Sequence, residues 1–513
     1  MFDLGRTLLA AVERRPQAPA ITDGEVQFTY REWFEQTQAV ANGLEALGLT
    51  HGDHLLVVMQ NRWQMAALHW ACQFAGIIVT PLNWRSKAEE IDYCIADADV
   101  KAIAFDASCA EAMAQCQEIG DRPRIVTDDV SVEGATSFSA LAARRPSQFI
   151  LRAEADDWSL MLYTSGTSGR PKGVPRRHRA ERAAALAHVA QNLYRQDECT
   201  LGVMPLYHTM GVRSLLAMAL IDGHFVCIPR FDPAATIRAI ESANVTNLYL
   251  VPTLYHILLE HPDFSRERVA SVTKIGFAGA PMSDGLMQRV EAAFQPELFV
   301  NHYGSSEVYT YTIDQQAARK PGSSGRAALN QRIRVVPIGS ENPNTPAAVY
   351  EEGAIVADMA GDEAFEGYWK RPEADAKSLK EGWFFTGDTG YFDSDGDLFV
   401  TGRLDDLIIT GGENVSPVDV ENALSTHPAV AEVAVVGIAD EQWGKIVTAF
   451  IKRREAVDEQ ALQEHCLNSG LANFKRPRRY VFVEEIPKSA VGKVLRRELV
   501  AERYVVEGVK TTS

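Results

Sequence analysis

The stretch YTSGTSGRPKGV, Tyr163–Val174, follows a short apolar run and places three glycines, four Ser/Thr residues and one lysine in twelve positions. Backbone N–H groups approach an anion closely only where side chains are absent, so this composition is typical of a phosphate-binding loop. The Walker A template fails here at two positions: counted from Gly166, Pro171 replaces the second glycine and Gly173 replaces the Ser/Thr after the lysine. We therefore consider a P-loop NTPase improbable. Taken alone, the stretch is either a phosphate cradle or a solvated Gly/Ser turn.

The chain is long and acidic. Its 513 residues, 46% of them hydrophobic, can bury a large core and predict roughly three or four domain-sized units. The formal net charge of -17 repels nucleic acid and anionic membranes, so we expect neither as a partner. No uncharged apolar run approaches the length of a bilayer span, and the first seventeen residues are typical of an amphipathic surface helix. Seven scattered cysteines without a CxxC pair predict reduced thiols and a cytoplasmic location.

Apolar runs alternate with helix-like segments over most of the chain before Gly325. Examples of the runs are HLLVVMQN (54–61), VKAIAFD (100–106), HFVCIPR (224–230) and VTKIGFAGAP (272–281). The alternation predicts an α/β protein with a large N-terminal domain of doubly wound sheets. After Gly325, short strands broken by Asp-Gly turns predict an antiparallel β-rich subdomain. The segment from about Asp405 predicts a small α+β domain.

Five further motifs follow the opening loop in order. They are FAGAP (277–281), NHYGSSE (301–307), FFTGD (384–388), TGRLDDLIITGGENVSP (401–417) and PKSAVGKVLRREL (487–499). With the loop, they resemble the AMP-forming acyl-CoA synthetase family over nearly the whole chain, most closely its benzoate and chlorobenzoate-type aryl-CoA ligases. The resemblance implies an N-terminal adenylation domain, 1–404, and a mobile C-terminal domain, 405–513, which rotates about Asp405.

The chemistry that the resemblance implies has two steps and uses ATP, Mg²⁺ and coenzyme A. A carboxylate first attacks the α-phosphate of ATP and expels pyrophosphate, and a thiol then attacks the acyl-adenylate and expels AMP. Because two anions meet in the first step, the site needs a cation where charge develops. The lysine of the motif SAVGK, Lys493, matches the family residue that bridges the carboxylate and the α-phosphate. By residue type alone, Lys493 would be a solvated lysine at the start of a basic helix.

For the nucleotide, the resemblance implies specific contacts. Tyr303 matches an adenine-stacking aromatic, Glu307 a magnesium ligand, and Asp388 an acid that binds the ribose hydroxyls with support from Arg403. The opening loop would hold the β- and γ-phosphates. The implied nucleotide-binding residues are Thr164, Ser165, Gly166, Thr167, Gly169, Lys172, Gly279, Ala280, Pro281, Tyr303, Gly304, Ser305, Ser306, Asp388 and Arg403.

For coenzyme A, the resemblance implies a narrow tunnel that forms after the C-terminal domain rotates. Gly411, Gly412 and Glu413 would line it, and Trp443 matches a tunnel aromatic of the benzoate-type ligases. The basic run FKRPRR (474–479), which includes Lys475, would bind the CoA phosphate, although such a run is usually a solvated surface.

The acyl pocket is implied by the stretch MPLYHTMGV (204–212). His208 would border the pocket and, with Lys493 and Glu307, form the catalytic set. The implied lining is Ala185, His208, Thr209, Tyr249, Ala280, His302, Gly304, Tyr309 and Thr310. Because an unpaired buried donor costs about 1 to 3 kcal/mol, the polar atoms of His302 and Tyr309 favour a ring with a heteroatom or hydroxyl. We expect a compact cyclic acid, such as a benzoate, hydroxybenzoate or furoate, rather than a long-chain fatty acid.

Several alternatives stay open from the sequence. A stand-alone adenylating enzyme could load a carrier-protein thiol, and a fatty acyl-CoA synthetase or a luciferase-like oxygenase would share the fold. A non-catalytic nucleotide-binding regulator is a further alternative, against which the presence of Lys172, Glu307, Asp388 and Lys493 argues. A homodimer is compatible with the sequence.

Overall fold

A computed structural model describes residues 2–143, 148–164, 170–488 and 494–508. In these ranges the strands are β1 Pro19–Asp23, β2 Val26–Thr29, β3 His54–Val58, β4 Ile78–Leu82, β5 Val100–Phe105, β6 Arg124–Val126, β7 Thr136–Ser137, β8 Trp158–Thr164, β9 Lys172–Arg177, β10 Cys199–Gly202, β11 His224–Cys227, β12 Asn247–Leu250, β13 Lys274–Phe277, β14 Leu298–Tyr303, β15 Thr312–Asp314, β16 Arg326–Ala327, β17 Ile333–Pro337, β18 Gly353–Asp358, β19 Leu379–Lys380, β20 Trp383–Phe392, β21 Leu398–Arg403, β22 Ile408–Thr410, β23 Glu413–Val415, β24 Val430–Asp440, β25 Gly444–Arg453 and β26 Arg479–Phe482.

The helices of the described ranges are α1 Leu4–Arg14, α2 Tyr30–Ala46, α3 Trp63–Ala75, α4 Ala88–Asp97, α5 Ala110–Gln115, α6 Phe138–Ala142, α7 His178–Gln191, α8 Thr209–Leu220, α9 Pro233–Ser242, α10 Pro252–Glu260, α11 Asp284–Phe294, α12 Pro372–Ser378, α13 Pro417–Ser425, α14 Glu459–Asn468 and α15 Arg496–Val500. Short 3₁₀ turns lie at Ala107–Cys109, Ala317–Arg319, Leu404–Asp406 and Asn473–Lys475. None of these helices is long and apolar enough to cross a membrane.

Two large mixed sheets carry the α/β part of the fold. The first has the strand order β16-β15-β14-β13-β12-β10-β11-β1-β2, and the second has the order β7-β6-β5-β3-β4-β8-β9. Both are parallel in the middle and antiparallel at an edge, where β2, β15 and β16 close the first sheet and β9 closes the second. Central strands such as β3 are buried throughout, because helices cover both faces of a parallel sheet. The predicted fold class is confirmed.

The region after Gly325 forms an antiparallel sheet, as its turn chemistry predicts. Its strands follow the order β17-β18-β20-β19, and β21 also pairs with β20. The hairpin of β20 and β21 places Asp388 opposite Arg403 in register. The structure therefore brings together two residues that lie in separate sequence motifs.

The last sheet contains β23-β22-β25-β24, with β26 added beside β25. One face of the long β24–β25 hairpin packs with α13 and α14 around a core that includes Val420, Val435, Ile451 and Leu462. This is the small α+β unit that the sequence predicts. The 3₁₀ turn Leu404–Asp406, with Asp405 in its middle, directly joins β21 to this unit.

The first sheet positions the candidate site at one edge. The strands β10, β12, β13 and β14 run parallel, so their carboxyl ends meet on the same side. Tyr303 is the last residue of β14, and Gly279, Ala280 and Pro281 follow the end of β13. His208 precedes α8 as its N-cap and accepts from the Met210 amide at 3.4 Å through Nδ1.

Candidate active site

An acid held between an aromatic residue and a cation forms the first cluster of the site. The Tyr303 hydroxyl donates to Asp388 Oδ2 at 2.6 Å, and Arg403 Nη1 lies 2.9 Å from Asp388 Oδ1. Burial, and then the negative charge of Asp388, raise the pKa of Tyr303 well above its usual value, so the phenol stays a donor. The three residues come from β14, β20 and β21, and the structure joins them as the sequence analysis expected of a ribose-binding acid with its support.

A second carboxylate lies in a pocket of aromatic and cationic groups. Glu307 is buried, and its Oε1 accepts from the Tyr368 hydroxyl at 2.7 Å. Lys172 Nζ lies 3.8 Å from the centre of the Tyr368 ring, a cation–π contact. Partial burial lowers the pKa of Lys172, and the charge of Glu307 opposes that shift. Tyr368 was missed by the sequence analysis, because its segment EGYWKRP carries no recognisable functional pattern.

The segment that the sequence analysis assigns to phosphate binding connects β8 to β9. Its two ends are described, with Thr164 opposite Lys172 as the last pair of the hairpin ladder. Ser165, Gly166, Thr167 and Gly169 lie outside the described residues, as does Lys493. Their roles remain predictions.

Close backbone approaches surround the end of β14. A Cβ at Gly304 would lie 2.0 Å from the carbonyl oxygen of Tyr309, so only glycine fits there. Ser305 Oγ is 2.7 Å from the Tyr311 hydroxyl, and Ser306 is half-buried beside it. Gly279 adopts φ +83°, a left-handed conformation in which glycine is favoured.

The implied acyl-pocket residues differ in their hydrogen bonding. Ala185, Thr209, Tyr249, His302, Tyr309 and Thr310 are all buried. The Tyr309 hydroxyl donates to Glu181 at 2.9 Å, and the Tyr309 ring lies 4.1 Å from the Arg176 guanidinium carbon. Tyr309 therefore does not supply the unpaired donor from which the sequence analysis inferred a polar substrate. The reason is a buried Arg176–Glu181 ion pair that the sequence pattern did not reveal.

His302 has one bonded and one unbonded ring nitrogen. Its Nε2 lies 3.1 Å from Asn192 Oδ1, while Nδ1 has no hydrogen-bond partner. Burial, and then the charge of Arg213, lower its pKa well below the usual value, so the ring is neutral near pH 7. Arg213, from the middle of α8, was also missed, although a lone arginine in the apolar run TMGVRSLLAMAL is a detectable signal.

The residues assigned to coenzyme A lie on the C-terminal unit. The Gly411 amide donates to the Trp443 carbonyl at 3.0 Å, and the Arg478 guanidinium carbon lies 4.0 Å from the centre of the Trp443 ring. Gly411 and Gly412 both have positive φ, and Glu413 begins β23. Lys475 is already paired with Asp419 at 2.6 Å, so in this arrangement its charge is not available to a phosphate.

One acidic cluster outside the site has the geometry of metal ligands. Asp393, Asp395 and Asp397 lie close together in the turn after β20. The ammonium of Lys320 contacts all three carboxylates, at 2.9 Å from Asp395 and 2.6 Å from Asp397. This lysine already supplies the compensating charge, so we assign no metal to the cluster.

Comparison with known proteins identifies the family. The model of the AMP-binding enzyme family matches residues 8–369, and that of the AMP-binding enzyme C-terminal domain matches residues 419–493. A 4-chlorobenzoate–CoA ligase from an Arthrobacter species is 33% identical over 498 residues, covering 95% of this chain and 93% of the relative. A long-chain-fatty-acid–CoA ligase from Mycobacterium tuberculosis is 30% identical over 500 residues, covering 96% and 97%.

The solved structures agree with these matches. The ATP-bound crystal structure of MatB from Rhodopseudomonas palustris superposes with a TM-score of 0.88 at 28% identity, over 98% of each chain. The sequence-based predictions of an adenylate-forming fold and of an enzyme of the acid–thiol ligase class are thus confirmed. The chain belongs to the AMP-binding enzyme family.

Proposed function

We propose that the protein is an ATP-dependent ligase that joins a small cyclic carboxylic acid to coenzyme A in two steps, through an acyl-adenylate. The observation that carries this proposal is the Asp388 carboxylate, fixed between the Tyr303 hydroxyl and Arg403 at the edge of the first sheet. A carboxylate with one rigid donor on each side is well suited to accept hydrogen bonds from the two ribose hydroxyls. The similarity to CoA ligases along the whole chain supports the reaction class.

The residues near Glu307 would bind the polyphosphate end of ATP. Lys172 is a half-buried cation at the end of the phosphate loop, and Glu307 offers a hard oxygen ligand next to it. Glu307 is the residue that would hold Mg²⁺, which neutralises phosphate charge when it is bound. Tyr368 orients this carboxylate through its hydrogen bond. In this proposal Thr164 and the loop residues Ser165, Gly166, Thr167 and Gly169 contact the β- and γ-phosphates.

The C-terminal domain would take a different position for each of the two half-reactions. Residues 405–513 would carry Lys493 to the carboxylate and the α-phosphate for adenylation. Rotation about Asp405 would then withdraw Lys493 and bring Gly411, Gly412 and Glu413 to the nucleotide. Trp443, stacked on Arg478, would guide the pantetheine arm of coenzyme A. Lys475 would first have to separate from Asp419 to bind the CoA phosphate.

The aromatic lining supports a compact acid. Tyr249, His302 and Tyr309 are fully buried large side chains, which leave less depth than an aliphatic lining. The higher identity to a chlorobenzoate ligase than to a fatty-acid ligase points the same way. The long-chain relative keeps a fatty acyl-CoA synthetase as the second candidate, and a loader of a carrier-protein thiol as the third. We also propose that the enzyme works in the cytoplasm without membrane or nucleic-acid partners, and a homodimer is compatible with this proposal.

A CoA-dependent AMP-release assay across aromatic, heteroaromatic, alicyclic and linear acids tests the proposal. We expect AMP and acyl-CoA in equal amounts with small cyclic acids and at least about tenfold lower kcat/KM with linear long-chain acids. Asp388→Ala is the matched loss-of-function control. AMP release without any thioester would instead favour a different thiol acceptor, and a complete lack of AMP release with every acid would refute the proposal.

A further inference from the structure

A buried arginine contacts two residues that the sequence analysis assigns to the acyl pocket. Arg213 is 2% exposed, and it donates to two neutral oxygens, the Thr310 hydroxyl through Nη1 and the Tyr249 hydroxyl through Nη2. It forms no ion pair within 4.0 Å among the described residues. A buried charge without a counter-charge is costly, and it becomes tolerable when a ligand contributes the missing interactions.

Glu363 is a carboxylate that interacts electrostatically with Arg213, but its two oxygens accept hydrogen bonds from other groups. Glu363 Oε2 accepts from the Thr310 amide at 3.1 Å, and Glu363 Oε1 accepts from Asn330 Nδ2 at 3.0 Å. Burial raises the pKa of Glu363, and the charge of Arg213 opposes this shift. Glu363 therefore compensates Arg213 only from a distance.

Three buried polar atoms in this region have no hydrogen-bond partner. They are Arg213 Nε, His188 Nε2 and His302 Nδ1. The centres of the His188 and His302 rings are 5.3 Å apart, and each lies 4.9 Å from the centre of the Tyr249 ring. Buried polar groups are normally paired, so three unpaired atoms around one tyrosine indicate a missing partner.

The hydrogen-bond network assigns the protons. Asn192 Nδ2 donates to His188 Nδ1 at 3.0 Å, so the neutral ring of His188 carries its proton on Nε2. Asn192 Oδ1 accepts from His302 Nε2, which leaves Nδ1 of His302 as an acceptor. The region thus offers two unpaired N–H donors, one from Arg213 and one from His188, and one unpaired acceptor.

We propose that Arg213, with His188 and His302, is a specificity determinant that selects ring acids bearing a hydrogen-bond-accepting group away from the reacting carboxylate. A ring hydroxyl matches the three atoms in kind, because its oxygen accepts from Arg213 and His188 and its proton is donated to His302. This inference rests on the proposed ligase function and deepens it. The Tyr309 hydroxyl takes no part in this selection, because it is paired with Glu181.

Matched acids of nearly equal size test the proposal. The pairs are 4-hydroxybenzoate with 4-methylbenzoate, 3-hydroxybenzoate with 3-methylbenzoate, and pyridine-4-carboxylate with benzoate; benzene-1,4-dicarboxylate tests an anionic acceptor. For at least one pair we expect the acceptor-bearing acid to have about tenfold higher kcat/KM, since its partner leaves the site's donors unpaired. A preference for the dicarboxylate over all others would identify the acceptor as anionic.

Variants of Arg213 and His188 test whether these residues cause the preference for the acceptor-bearing acid. In Arg213→Met, the ratio of kcat/KM between the two acids of the preferred pair should fall to about one. The KM for ATP should change less than about threefold. Ser214→Ala is the control, because Ser214 is the buried neighbour on α8 and its hydroxyl donates only to the Met210 carbonyl at 2.9 Å. If Arg213→Met does not fold, His188→Phe removes the other unpaired donor and should reduce the ratio.

The possible results distinguish a failure of the specificity proposal from a failure of the proposed ligase function. Ratios near one for every pair in the wild-type enzyme would overturn this inference and leave the ligase function intact, as would an unchanged ratio in Arg213→Met. No AMP release with any acid would overturn both proposals.

Discussion

The phenol of Tyr303, at the end of β14, donates a 2.6 Å hydrogen bond to Asp388 in β20 and so joins the first mixed sheet to the antiparallel sheet. On its other oxygen, Asp388 meets Arg403 from the adjacent strand. The carboxylate is therefore fixed before a nucleotide arrives. A preorganised acceptor loses little freedom on binding, which makes Asp388 the most informative residue for nucleotide affinity.

Replacing Asp388 by alanine should raise the KM for ATP at least about tenfold, because hydrogen bonds to a charged group contribute about 1.5 to 3 kcal/mol. Tyr303→Phe, which keeps the ring and removes only the hydroxyl, should raise it by about fivefold or less. ATP titrations at saturating acid measure both values. A larger effect for Tyr303→Phe than for Asp388→Ala would show that the hydroxyl, and not the carboxylate, is the essential group.

Glu307→Gln should increase the Mg²⁺ concentration needed for half-maximal activity by about tenfold or more, because an amide is a weaker ligand for a hard cation. The control is Tyr368→Phe, which retains the ring under Lys172 and removes the hydrogen bond to Glu307. In Tyr368→Phe, the Mg²⁺ concentration needed for half-maximal activity should change less than about threefold. Equal Mg²⁺ dependence in Glu307→Gln and the wild-type enzyme would contradict the assignment.

Gly411→Ala should impair the second half-reaction alone. A Cβ at Gly411 would lie 2.9 Å from Trp443 Cε3, in a backbone with φ +59°. Gly470→Ala imposes a comparable strain at φ +78° with no atom within 4 Å, in the same C-terminal domain but outside the residues assigned to CoA, so it controls for backbone effects. We expect the KM for CoA to rise about fivefold more in Gly411→Ala than in Gly470→Ala, with adenylation unchanged. Identical CoA kinetics would exclude Trp443 from the tunnel.

Stability should fall as the pH drops below neutrality because of buried histidines. Burial lowers the pKa of His69 from 6.5 to about 3, and its Nε2 has no partner. Between about pH 4 and 6 the unfolded chain therefore binds a proton at this position that the folded chain does not, so the free energy of unfolding rises with pH. The contribution of one such residue is about 1.4 kcal/mol per pH unit.

Urea unfolding of the variant His69→Gln checks this sign. The slope of the unfolding free energy against pH should decrease by up to about 1.4 kcal/mol per pH unit, which is the contribution of one proton. This holds whatever the absolute stability of the variant. A slope that is unchanged in His69→Gln would mean that the ring is protonated in the folded protein.

The fold was predictable because its local signals agree with one another. Apolar runs such as 54–61 and 272–281 correspond to the buried strands β3 and β13, and the Asp-Gly turn of 383–403 corresponds to the β20–β21 hairpin. In each case the side-chain pattern and the turn residues favour the same structure, which is the condition under which sequence reasoning succeeds.

The partners of the site residues were not predictable in the same way. Tyr368 and Glu307 are 61 positions apart, and Arg213 and Thr310 are 97 apart, so only the folded chain brings them together. A sequence motif names the reacting group, but its orientation depends on contacts that carry no local pattern. The expectation that the Tyr309 hydroxyl is an unpaired donor was wrong for this reason, because its partner Glu181 lies 128 positions away.

The central claim is that a cation from the C-terminal domain, Lys493, enables two anions to react. Acid-dependent exchange of labelled pyrophosphate into ATP, without CoA, measures this step alone. We predict that Lys493→Ala lowers the exchange rate by at least about 100-fold, while thioester formation from supplied acyl-adenylate and CoA changes less than about threefold. The control Lys488→Ala removes a lysine that is paired with Glu432 at 2.6 Å and should exchange at nearly the wild-type rate. Retained exchange in Lys493→Ala, or an equal loss of both half-reactions, would contradict the account.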